Sequence, residues 1–175
     1  MRRTIETALF AAVLALGAGC SGGVLEEPVH KMGELTTIGP LTYTVLETEW
    51  RAQLGESVEA KIPENRFLLI RLSISNAGQQ QVDVPLLTLE DEEGNSYMEV
   101  SEVEGVRNWL GLLRILEPAG MLEGVIVFDV PPSDYRLRVT DGGDLESERT
   151  ALIEIPLTLA PPPPVETPAP GDQSF

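Results

Sequence analysis

Between residues 32 and 159 apolar and polar side chains alternate with a period of two, and turn residues interrupt the pattern repeatedly. Leu41, Tyr43 and Val45 alternate with Thr42 and Thr44; Leu68, Ile70, Leu72 and Ile74 alternate with Leu69, Arg71, Ser73 and Ser75. Such a period puts one set of side chains on a core face and the other set outside, as half-buried strands require. The second run is the strongest strand signal, and Asn76-Ala77-Gly78 ends it with turn chemistry. Val82 and Val84 open another strand, broken by Pro85. Leu87 and Leu89 run into the turn Asp91-Glu92-Glu93-Gly94-Asn95, and the chain returns through Ser96, Tyr97 and Met98.

After Glu117-Pro118-Ala119-Gly120, the run Val125-Ile126-Val127-Phe128 predicts a strand buried on both faces, stopped by Pro131-Pro132. Leu137 and Val139 alternate with Arg136 and Arg138, and Ala151, Ile153 and Ile155 close the domain. Seven or eight short strands at this spacing predict an all-β fold: a single immunoglobulin-like antiparallel β-sandwich. One segment departs from the pattern. Trp109, Leu112, Leu113 and Leu116 fall at helical spacing, but Gly111 and the brevity of the segment predict a loop with at most one helical turn, Trp109 lying over the core edge.

The flanks differ in composition. Met1-Arg2-Arg3 is a basic start, Ala8 to Leu16 is apolar, and Gly17-Ala18-Gly19 precedes Cys20, the only cysteine. This is an export signal over residues 1–19, and its apolar stretch is too short to span a bilayer, which needs about 20 residues. Small residues directly before a lone cysteine resemble the lipobox of bacterial lipoproteins, which implies lipid attachment at Cys20 and an extracytoplasmic, membrane-anchored protein. Ordinary secretory cleavage after Gly19 is the alternative. Residues 20–31 predict a tether, and residues 160–175, with Pro161-Pro162-Pro163-Pro164, Pro168 and Pro170, a disordered Pro-rich tail that serves as a spacer or a ligand.

Charge narrows the function. Loss of residues 1–19 takes away Arg2, Arg3 and Glu6, so 12 basic and 28 acidic residues become 10 and 27, and the net charge passes from −16 to −17. Nucleic-acid binding rests on Lys and Arg neutralising phosphates, and this balance excludes it. Anionic headgroups are likewise disfavoured, which leaves the membrane contact to the anchor. His30 is the sole histidine and sits in the expected tether, as a solvated linker residue. That removes Ser-His-Asp and Cys-His triads and multi-histidine zinc sites.

The ordered run Gly39-x-Leu41-x-Tyr43-x-Val45, Trp50, Phe67 to Asn76-x-Gly78, Leu89-x-Asp91-x-x-Gly94-x-x-Tyr97 and Pro118-x-Gly120-x-x-x-Gly124-x-x-x-Phe128-x-Val130-Pro131 resembles a known family. It is similar to the extracytoplasmic domain of unknown function 4352, a telokin-like immunoglobulin sandwich common in bacterial lipoproteins. The resemblance implies the same fold over residues 32–159 and brings no catalytic set, cofactor or metal. Ala119 stands where that pattern expects a Pro-Gly turn, with Gly120 expected to serve the bend. Asn76 and Gly78 are expected to take left-handed turn conformations, and Tyr97 to lay its ring on the core with a wet hydroxyl.

Three functions compete on these residues. The first is a non-enzymatic envelope module that presents loops or an edge strand to a protein partner. The second is a carbohydrate hydrolase working through two carboxylates, for which Trp50, Trp109, Tyr43, Tyr97 and Tyr135 are few aromatic platforms. The third is calcium binding by the acidic turn Glu90 to Asn95, which lacks the ligand ladder of an EF-hand.

Overall fold

A computed structural model describes residues 27–55, 60–143 and 147–158. The signal segment, Cys20 and the Pro-rich tail lie outside these residues. Eleven strands and no helix occur among them: β1 (Val29–His30), β2 (Thr36–Ile38), β3 (Leu41–Arg51), β4 (Arg66–Asn76), β5 (Val82–Asp83), β6 (Thr88–Glu90), β7 (Ser96–Met98), β8 (Ile115–Leu116), β9 (Met121–Val130), β10 (Tyr135–Thr140) and β11 (Thr150–Ile155). Eight of these have three or more residues, in line with the sequence pattern. The other three, β1, β5 and β8, have two residues each, too few to show a period.

Two sheets face each other in a sandwich. One has the order β1-β11-β10-β6-β7, the other β2-β3-β4-β9, and β5 pairs with β8 beside them. Pairing is antiparallel except where β1 runs parallel to β11. This pair corrects the expected tether, because Val29 and His30 lie opposite Leu152 and Ile153 and belong to the fold. Glu27 joins them through an ion pair with Arg138. His30 is thus a strand residue, 3.9 Å from the Glu34 carboxylate.

The alternating positions make the core. Leu41, Tyr43, Val45, Leu68, Ile70, Leu72 and Ile74 from one sheet meet Leu89, Leu137, Val139, Ala151, Ile153 and Ile155 from the other. Leu69 departs from its expected outward setting. It lies in a second, smaller core on the outer face with Leu54, Phe67 and Val127, roofed by Val100, Val103, Val106 and Trp109. Val127 there and Ile126 and Phe128 in the main core bear out the strand buried on both faces.

The segment at helical spacing is extended and turning. Asn108 and Gly111 take left-handed φ values of 56° and 69°, which a helix cannot contain. Leu116 is buried in β8 and Leu113 is 91% exposed, so the apolar positions do not share one face. Trp109 does lie over a core edge, as expected, bridging to Val125.

Candidate functional site

An open sandwich is incomplete where a strand's outer backbone groups meet no neighbour. The first sheet ends in very short strands: β1 has two residues and β7 three. The second sheet ends in the long β9, and a loop covers it. Val100 donates to Val127 O at 2.8 Å, Leu110 to Val125 O at 3.0 Å, and Val125 to Asn108 O at 2.8 Å. Gly124 permits this approach, since a Cβ there would fall 2.4 Å from Asn108 O and from Leu110 Cδ2.

The loop is pinned at its far end by Glu99 and Arg114, whose side chains are 1% and 0% exposed. Arg114 donates from Nη1 to Glu99 Oε1 at 2.9 Å and from Nη2 to Oε2, and its Nε donates to Gly111 O at 2.9 Å. Leu87 N also donates to Glu99 Oε1, at 2.6 Å. Both charges are therefore compensated, as burial demands. Nothing in the sequence marks this pair, because one glutamate among the 28 acidic residues carries no distinguishing spacing.

The opposite edge, β3, is covered along only part of its length. Its partner β2 spans Leu41 to Tyr43, and Gly33 N donates to Val45 O at 3.1 Å. A bulge at Leu46 then shifts the register, so that Glu47 faces Arg71, Thr48 faces Ile70, Glu49 faces Leu69 and Trp50 faces Leu68 on β4. Antiparallel ladders point successive residues alternately to one neighbour and the other. Tyr43 and Val45 point to the outer edge; past the bulge the same phase falls on Thr48 and Trp50. Among the described residues no strand pairs with that edge beyond Val45. Leu46 to Arg51 thus offers an open edge of about 20 Å at about 3.4 Å per residue.

Its side chains separate by face. Trp50 packs against the main core, and its indole N–H is buried without an acceptor. Outside, Glu49 is held by Arg51 through bonds of 2.8 and 2.7 Å. That bond holds the Glu49 carboxyl below its usual range. Arg71 lies 3.1 Å from Glu47 and 3.2 Å from Glu123. One guanidinium thus serves two carboxylates, and the trio keeps one negative charge.

In the acidic turn the Asp91 carboxylate is taken up by hydrogen bonds within the turn. Asp91 Oδ1 accepts from the N–H groups of Glu93 and Asn95 at 3.0 and 2.8 Å; Oδ2 accepts from Asn95 Nδ2 at 2.8 Å and Tyr97 OH at 2.9 Å. The Asn95 side chain first, then these others, hold the Asp91 carboxyl below its ordinary value. Glu90 instead pairs with Arg138. Among the described residues no group of three or more His, Cys, Asp or Glu side chains is arranged to hold a metal ion. The Tyr97 hydroxyl, expected to be wet, is the turn's internal donor.

The aromatic side chains pack. Tyr43 is fully buried and donates to Thr140 O at 2.8 Å; burial raises its hydroxyl far above the phenol range. Tyr97 and Tyr135 meet edge to face at 5.7 Å. Tyr135 OH donates to Pro131 O at 2.6 Å, a backbone tie like the tyrosine corner of immunoglobulin sandwiches. Burial pushes its pKa up to about 12. An open hollow of about 550 Å³ on the other sheet, lined by Lys31, Asp91, Asp134, Arg136 and Glu154, has both signs of charge.

Asn76 and Gly78 serve the turn differently from expectation, and neither takes a left-handed φ. The Asn76 amide donates to Gln80 O and Leu116 O at 2.8 and 3.0 Å, and its Oδ1 accepts from Gly78 N at 2.8 Å. A Cβ on residue 78 would lie 2.8 Å from Pro40 Cβ. Packing of Gly78 against Pro40 is therefore what requires glycine there.

Residues 30–149 match the domain of unknown function DUF4352, and the chain belongs to that family. Solved structures share the fold. The yjhA protein from Bacillus subtilis superposes with a TM-score of 0.58 at 17% identity, over 72% of this chain and 98% of that one. A "putative lipoprotein (ycdA)" from Bacillus subtilis gives 0.54 at 12% identity, over 70% of this chain and 38% of that one. A functionally unknown protein from Listeria monocytogenes gives 0.53 at 11%, over 71% and 82%. No curated protein matches the sequence.

Proposed function

We propose that this chain is a non-enzymatic binding module of the cell envelope, held to a membrane by lipid on Cys20, which takes up an extended segment of a partner protein on the open edge of β3. The observation that carries this reading is the outer edge of Leu46 to Arg51, which no described strand pairs, with the backbone groups of Thr48 and Trp50 turned to it in a sheet whose other long edge is covered. An incoming strand gains main-chain hydrogen bonds there. The Arg3 to Cys20 sequence supports the anchor, and one structure of the same fold is described as a putative lipoprotein. Among the described residues no helix is long and apolar enough to cross a membrane.

The test places a photo-crosslinking residue at position 48 in the native membrane, with position 134, in the turn that leads into β10, as control. One protein captured in stoichiometric yield from position 48 alone is the expected result. Equal capture from both positions would contradict edge pairing. Mass spectrometry of the membrane-extracted chain tests the anchor: an acylated Cys20 at the mature N-terminus is expected, and an unmodified cysteine would contradict it.

A further inference from the structure

Resting on the reading of β3 as the pairing edge, we infer that the segment it accepts is a basic strand, with Lys or Arg alternating with apolar residues. A strand added at β3 must continue the pleat, so its side chains alternate between the two faces of the sheet. On the outer face they fall beside Glu47 and Glu49. Glu49 is already matched by the forked bonds of Arg51, but Glu47 shares Arg71 with Glu123. The side chain of Glu47 is 64% exposed, and its carboxylate, which has only a share of the Arg71 charge, is open to a neighbouring strand. Directly opposed unlike charges stabilise a strand pair and like charges oppose it. A second copy of this chain, with its net charge of −16, and acidic segments generally are thereby disfavoured. The inner face sets the alternate positions. There the incoming side chains flank Thr48 and Trp50, and Trp50 packs at the rim of the main core, where apolar groups gain by leaving water.

Binding of blocked nonapeptides to the purified full chain tests this: Thr-Val-Lys-Val-Lys-Val-Lys-Val-Thr, the same peptide with Glu for Lys, and the Lys peptide with its pairing amides N-methylated. The Lys peptide should bind roughly tenfold more tightly than the Glu peptide. N-methylation and Thr48→Pro should each remove binding, and Glu47→Lys should reverse the preference. If the Lys and Glu peptides bind equally and both are lost with Thr48→Pro, the edge reading stands and the basic partner is overturned. A Lys preference that survives N-methylation would mean adsorption to acidic surface, the hollow at Asp91, Asp134 and Glu154 included, and would overturn the inference. Absence of binding by all three peptides would overturn the edge reading with it. The N-methylated peptide keeps the test sound if Thr48→Pro does not fold.

Discussion

Arg114 and Glu99 form an ion pair with almost no exposed surface, and through it the loop that roofs the β9 edge is fixed to the sandwich. Glu99 also takes the Leu87 N–H, and Arg114 also reaches Gly111 O. The pair therefore joins the segment at Leu87 to both ends of the loop, over separations of 12 and 15 residues.

Removal of one member leaves a buried charge without its partner. Arg114→Met should cost about 3–5 kcal/mol, and the double change with Glu99→Met should recover much of that loss. Urea unfolding of both single variants and the double variant measures the coupling. Additive losses would show that the two charges do not meet.

Ala119 occupies a left-handed conformation, φ 58°, where Cβ crowds the backbone. Ala119→Gly should stabilise the chain by about 0.5–1 kcal/mol, because glycine adopts this φ without strain. Gly120→Ala should destabilise it, its Cβ falling 2.7 Å from Glu117 O. A rise in urea midpoint for the first variant and a fall for the second is the expected pair of results.

These residues show how far the sequence could be read. The long strands β3, β4, β9, β10 and β11 follow a period of two, and periodicity reports faces directly. It does not report what covers a face, so Leu69 was expected outside although a loop roofs it. Two-residue strands such as β1 have no period at all, and the expected tether accordingly ran through residues of the fold. Ala119 was passed over for Gly120 because only glycine advertises a left-handed bend. The open edge of β3 has no signature in the sequence. Its position depends on where β2 ends and where Leu46 bulges, and both are properties of pairing.

Leu72 lies on β4 with no exposure, between Val45 and Gly124 on the flanking strands. Leu72→Ala should cost about 2–5 kcal/mol through the cavity it leaves. A loss below about 0.5 kcal/mol, as at exposed positions, would contradict the register.

Acid should weaken the fold in part through Asp141. Burial raises its pKa, but the Arg149 N–H and guanidinium and the Gly143 N–H outweigh burial and hold it below 3.8. A depressed folded pKa contributes stability above the unfolded value and loses it as pH falls through the folded one. Asp141→Asn should therefore lower stability at neutral pH and flatten its decline below about pH 4. Unfolding midpoints across that range, read against the unmodified chain, check this. Parallel curves for the two proteins would contradict it.

Amide hydrogen exchange resolved at Thr48 and Trp50 tests the open edge most directly. In the free chain these two amides should exchange fast while those of Glu47 and Glu49, bonded to β4, are protected. Addition of the Lys peptide should slow Thr48 and Trp50 and leave the amides of β10 unchanged. Protection of Thr48 and Trp50 in the free chain, or no slowing on binding, would contradict β3 as the pairing edge.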